Sequence, residues 1–156
     1  LSVDVNDDVI VHANNIFDLQ GGRIKFPSTQ VPSTNVNTLD DYKEGTWTPA
    51  DLSGAGLALT ITSAVYQKTG NWVRFSCQIQ FPATASGANM LIGGLPYTAS
   101  VNTGLAVGLK TAAVAFDYVV LAGTVSFASR TPITGAIGTN AQHTGAFLIV
   151  TGSYPV

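Results

Sequence analysis

Between residues 72 and 81, "WVRFSCQIQF", hydrophobic and polar residues alternate without a break. Val73, Phe75, Cys77, Ile79 and Phe81 fall on one side, and Trp72, Arg74, Ser76, Gln78 and Gln80 on the other. A period of two is the spacing of a half-buried β-strand. Upstream, "LALTITSAVYQ" (57–67) places Leu57, Leu59, Ile61 and Val65 together, and Lys68-Thr69-Gly70-Asn71 between the two runs supplies turn chemistry. The two runs predict an antiparallel hairpin. Further strands are expected at 89–92, 104–115, 118–127, 133–137 and 145–154. A helical period is hard to find anywhere. About seven short strands separated by turn residues predict an all-β fold, an antiparallel β-sandwich of jelly-roll-like kind.

The first 38 residues follow another pattern. Short apolar patches (Val9-Ile10-Val11, Ile16-Phe17, Ile24-Lys25-Phe26) alternate with polar turns and lead into "FPSTQVPSTNVNT", which has two prolines and no charge. Pro27 and Pro32 favour extended backbone, and such a segment cannot bury a core alone. It becomes stable if several chains wind together. The expected organisation is an extended fibrous stalk over 1–38, a junction with a short helical turn over 39–49, and a β domain over 50–156, assembled as a homotrimer. The start, "LSVDVNDDVIV", has neither a basic nor an apolar leader region and lacks Met, so the chain reads as a piece of something longer.

Charge sharpens this division. Residues 1–51 carry eight acids and three bases, and residues 52–156 carry one acid (Asp117) and four bases. Only 10% of the chain is charged, against roughly a quarter in an ordinary globular domain, which suggests surface covered by assembly or a robust extracellular particle. A net charge of −2 offers no electrostatic footprint for nucleic acid. No apolar run reaches the roughly 18 residues of a membrane span, so membrane insertion is not expected. The lone Cys77 excludes an intrachain disulfide and, on an apolar strand face, reads as core.

Candidate chemistry is sparse. "NTLDDYKEGTWTP" (37–49) gathers four charged residues beside a tryptophan. Thr38-Leu39-Asp40-Asp41 has the form of a capping box, with Asp40 and Asp41 in the favourable first turn, Gly45 ending it and Trp47 anchoring the domain. Adjacent acids on a helical turn point apart, which suits a structural joint better than paired acid–base work. "DVNDD" (4–8) lacks the rest of a calcium loop. His12, His143 and Cys77 have no metal-ligand spacing, so neither metal nor cofactor is expected. His143 and Asp117 can be written into a serine triad, but no G-x-S-x-G elbow accompanies them. Surface recognition remains. Trp72 and Arg74 share the polar face with Gln78 and Gln80, a combination able to stack on a sugar ring and hydrogen-bond its hydroxyls. The competing reading has Trp72 covered by the opposite sheet or a neighbouring subunit. Tyr97 and Tyr118, near strand ends, are further candidates of the same kind.

The segment Phe26–Pro49 resembles the F-P-x-T-Q-x-P-S…N-T-L-D-D-Y-x-E-G-T-W-T-P junction of phage tail fibre and tailspike proteins. "YQKTGNWVRFSCQIQF" (66–81) is similar to the strand pair that follows it there, Gly94-Leu95-Pro96-Tyr97 to a G-L-P-F/Y turn, and Gly152-Ser153-Tyr154 to a closing G-x-Y strand. The resemblance spans about residues 24–156. It implies a virion protein, extracellular when acting, homotrimeric, continuous with the rest of a tail fibre or tailspike chain, and attached to bacterial capsule or lipopolysaccharide. No catalytic site comes with it, and the expectation is a non-enzymatic tip. The alternatives are a purely structural trimerisation domain, or part of a depolymerase whose site is shared between subunits.

Overall fold

The computed structural model describes residues 2–3, 9–10, 22–29, 33–35, 37–111 and 114–156. Most of the expected stalk, including the acids of "DVNDD" and His12, lies outside the described residues. Of that segment's described residues, strands β1 (Ser2–Val3) and β2 (Val9–Ile10) pair antiparallel, while 22–29 holds neither strand nor helix and exposes Ile24.

The remaining nine described strands form one curled antiparallel sheet: β3 (Tyr42–Thr46), β4 (Ala50–Asp51), β5 (Thr60–Thr69), β6 (Trp72–Gln80), β7 (Leu91–Gly93), β8 (Thr103–Lys110), β9 (Asp117–Val120), β10 (Ser126–Arg130) and β11 (Phe147–Pro155). Their order is β3-β5-β6-β11-β8-β9-β10-β7-β4. The all-β antiparallel expectation is met, although this is not the nested-hairpin order of a jelly roll. Strand β8 belongs to both halves of the sheet. Its residues from Ala106 onward pair with β11, and Thr103–Leu105 pair with β9. The two ends of the sheet, β3 and β4, are joined by only Trp47-Thr48-Pro49.

This curl lets one apolar face fold onto itself. From β6 come Val73, Phe75, Cys77 and Ile79, from β11 Leu148, Val150 and Tyr154, and from β9 and β10 Tyr118, Val120 and Phe127, all buried. Phe75 is central. Its ring centroid lies 5.8 Å from Trp47, 6.2 Å from Phe127 and 5.9 Å from Tyr154. Aromatic contacts at such spacing add about 0.5–1.5 kcal/mol each beyond area burial.

The alternation read in β6 is observed, and the two-residue turn Gly70-Asn71 closes its hairpin with β5, Gly70 taking φ 55° as such turns demand. Strand β5 departs from simple alternation. Register slips between Ile61 and Ser63, so Ile61 opposes Ile79 whereas Val65 opposes Ser76 and turns outward. A bulge inserts one residue and reverses which parity faces the core, so Ala64 and Lys68 are buried in its place.

Three other expectations need correction. The junction holds no helical turn, because Tyr42–Thr46 pairs with Val65–Thr69 as β3. Strand 118–127 is two strands, β9 and β10, with Leu121–Val125 turning between them. Residues 133–137 form no strand. Thr131–Gly135 is a turn, with Ile133 97% exposed, and only Ile137 bridges to Arg130.

Candidate functional site

The outer face of β5, β6, β11 and β8 is assembled by register. Residues that share a polar phase on β6 gain cross-strand neighbours of the same phase. Trp72 stands between Thr69 and Pro155, Arg74 between Gln67 and Ser153, Ser76 between Val65 and Thr151, and Gln78 between Ser63 and Ile149. Trp72 is 49% exposed on this side, so the opposite half of the sheet does not cover it. Arg74 is exposed, while Gln78 is partly covered.

Three shallow depressions meet at Arg74. One of about 290 Å³ runs along Val65, Gln67 and Ser76, and one of about 350 Å³ lies between Gln67, Thr69 and Trp72. The third, about 540 Å³, extends across Thr151 and Ser153 to Gly104 and Ala106. Small residues on β8 and β11 keep this last part open. The chemistry offered is an indole face, one guanidinium and a set of neutral amides and hydroxyls on a rigid sheet. At the β3 side, Tyr42 donates its hydroxyl to Glu44 Oε2 (2.6 Å), which raises the phenol above its ordinary pKa. Phe26, from the preceding segment, packs its ring 6.0 Å from that of Tyr42.

Of the tyrosines expected at a surface site, Tyr97 is half-buried and lies 5.9 Å from Tyr66, edge to face. Tyr118 is a core residue, 1% exposed. Its hydroxyl lies 3.0 Å from His143 Nε2, and His143 Nδ1 lies 2.9 Å from Thr139 O. Taking Nδ1 as the protonated nitrogen, assigned from this network, the imidazole donates to the carbonyl and accepts from Tyr118. His143 also stacks on Phe116 at 4.7 Å. Tyr118 therefore cannot meet a ligand, and the written triad of His143 with Asp117 has no basis, since the imidazole is sealed in the core.

The acidic stretch is a joint, built differently from the expected capping box. Asp41 is buried and pairs with Lys68 Nζ, which also donates to Gly70 O. Gly70 N–H returns a hydrogen bond to Asp41 O at 2.9 Å. Asp40 Oδ2 accepts from Ser33 N–H (2.7 Å), and Thr38 N–H donates to Asn35 O (3.0 Å). Gly45 is not in the left-handed region. It lies on β3, where an added Cβ would stand 3.2 Å from Tyr66 Cε1. A non-local partner thus overrides the local capping pattern.

Trp47 is buried against Phe75, and its backbone N–H donates to Ala64 O (3.1 Å), carrying the β3 pairing one residue further before the chain crosses. That crossing passes directly over Gly94. A Cβ at Gly94 would lie 2.0 Å from Thr48 O, and its φ of 90° also favours glycine. Tyr154 donates to Tyr97 O at 3.1 Å, so the segments 37–49, 66–81, 94–97 and 152–154 all converge on the Phe75 side of the core.

Among the described residues no group of three or more His, Cys, Asp or Glu side chains is placed to hold a metal. Gln67, Thr69, Thr151 and Ser153 join the exposed face without having been singled out in the sequence. Gln67 follows from the hairpin turn, which sets it opposite Arg74, whereas the β11 partners depend on a pairing more than 70 residues apart. No family model, curated protein or solved structure matches the chain.

Proposed function

We propose that this chain is the non-enzymatic tip domain of a phage tail fibre or tailspike, trimeric in the virion, which attaches to bacterial surface polysaccharide through the Trp72–Arg74 face. The observation that carries this reading is the open indole of Trp72 beside Arg74, flanked by Gln67, Ser153 and Thr151 on a rigid sheet. Apolar faces of pyranose rings stack on such an indole, and ring hydroxyls pair with planar amide and guanidinium groups. The resemblance of residues 24–156 to tail fibre and tailspike junctions supplies the biological setting.

A structural reading has its own support, because each resembling segment contributes a fold-building contact: Asp41–Lys68, Trp47–Phe75, Gly94 beneath Thr48, and Tyr154 on Tyr97. In that reading the chain mainly trimerises and stabilises the fibre. A depolymerase site built from one chain's β domain alone is disfavoured by chemistry, since Asp117 is the one acid after Asp51 and the usual glycosidase pairs two carboxyl groups.

Retention of the protein on immobilised capsule and lipopolysaccharide polymers separates the two leading readings. Attachment predicts retention by the wild type and its loss in Trp72→Ala at unchanged native mass. Wild-type protein that passes every polymer leaves the structural reading. Release of reducing ends from a polymer would bring back the enzyme.

A further inference from the structure

We infer that the polysaccharide taken by this face is sparsely anionic, carrying a carboxylate or phosphate group that sits on Arg74. This deepens the glycan-attachment reading and rests on it. Three side-chain cations are described after residue 51. Lys68 is buried against Asp41, and Arg130 turns its Nη1 onto Gly135 O at 3.0 Å. Arg74 differs from both. It is exposed at the point where the three depressions meet, and among the described residues it has no hydrogen-bond or ion-pair partner.

Its cross-strand neighbours, Gln67 and Ser153, are neutral, and so are Trp72 and Ser76 two residues away along β6. A planar guanidinium held open in this way matches a carboxylate or phosphate through paired N–H donors. The surroundings also limit how much negative charge is acceptable. With Arg74 the one fully exposed cation described on this face, and Glu44 at the β3 side, a polymer with a charge every few ångströms would leave most of its anions unpaired. Nucleic acid, with one charge per roughly 1.7 Å of duplex, is such a polymer. A polysaccharide with about one acidic group per repeat unit fits: its anion meets Arg74, and neutral sugars extend towards Trp72 on one side and Thr151 and Ala106 on the other.

The test uses the full chain on an array of acidic and neutral bacterial surface polysaccharides, with Arg74→Gln, Arg74→Lys and Trp72→Ala alongside. Arg74→Gln is expected to weaken binding to acidic polymers about tenfold or more, the loss of one charge-assisted hydrogen-bonded pair. Arg74→Lys recovers part of it, and wild-type binding weakens as salt rises. Carbodiimide activation followed by borohydride reduction converts carboxylates to alcohols, and hydrofluoric acid cleaves phosphate esters, so the treatment that abolishes retention identifies the group. Two outcomes overturn the inference while leaving glycan attachment in place. One is retention of acidic polymers equally by wild type and Arg74→Gln. The other is retention of neutral polymers alone, lost in Trp72→Ala. If no polymer is retained, both this inference and the attachment reading fall.

Discussion

At the scale of single residues, the buried pair of Asp41 and Lys68 decides how the start of the domain is held. Two opposite charges out of water are tolerable only as partners, and removing one leaves the other uncompensated. Asp41→Ala is expected to lower unfolding free energy by roughly 3–5 kcal/mol, read from urea denaturation, and the double change Asp41→Leu, Lys68→Met is expected to cost less than either single change. If the double variant is as unstable as the sum of the singles, the pair is not the unit described here. Asp51 makes a separate, pH-dependent contribution. Burial pushes its pKa up, but the Ser53 hydroxyl and the N–H groups of Leu57, Ser53 and Gly56 outweigh that and hold it below its ordinary value. Its folded pKa is depressed, so its stabilisation is present above the ordinary carboxylate pKa of about 3.9 and is lost as pH falls through the folded value. Thermal melts at stepped pH should therefore show a smaller acid-side loss for Asp51→Asn than for wild type. Cys77 is the opposite case: burial pushes its thiol up to about 12. The native protein at pH 8 is expected to resist alkylation, with labelling rising only as denaturant opens the sheet; prompt native labelling would place Cys77 elsewhere.

At the scale of elements, the joint between β3 and β4 closes the curled sheet, and its tolerances are tight. Gly94→Ala puts a methyl where Thr48 O already lies, so either the crossing shifts or the turn opens. A loss of several kcal/mol is expected, well beyond the roughly 1 kcal/mol typical of a point substitution, measurable as a lowered denaturant midpoint. Gly54→Ala is a suitable control, because it shares a positive φ (79°) but has open space around it. Legibility in the sequence divides along the same line. Strand β6 was readable because its alternation is local and unbroken, and its turn is chemically marked. The phase of β5 was not, since the bulge near Thr62 changes register without a distinctive residue. The capping pattern at Thr38–Asp41 misled because it weighs neighbours three residues apart, whereas Asp41 finds a partner 27 residues away. Tyr118, a strand end by local pattern, lies in the core for a similar reason: β9 folds back on β10, and a histidine from the Asn140–His143 turn accepts from its hydroxyl.

At the scale of the whole molecule, the β5–β6 hairpin feeds the core from one side and stays open on the other. The segments resembling tail fibre proteins supply contacts of the joint and the core, and the strand pair 66–81 among them also carries the exposed Trp72 and Arg74. Trimeric assembly belongs to the proposed function, and sedimentation should give a native mass about three times the 16.2 kDa of one chain. A mass of one chain would remove the assembly part of the proposal without touching the face itself. The two tryptophans offer a direct view of that face, because Trp47 is 8% exposed and Trp72 is 49% exposed. The decisive measurement is acrylamide quenching of tryptophan emission in the wild-type protein, with and without a polysaccharide that it retains. Attachment at Trp72 predicts quenchable emission in the free protein that falls towards the level of buried Trp47 when the polymer binds. Unchanged quenching at saturating polymer, or an indole already shielded in the free assembly, would contradict it.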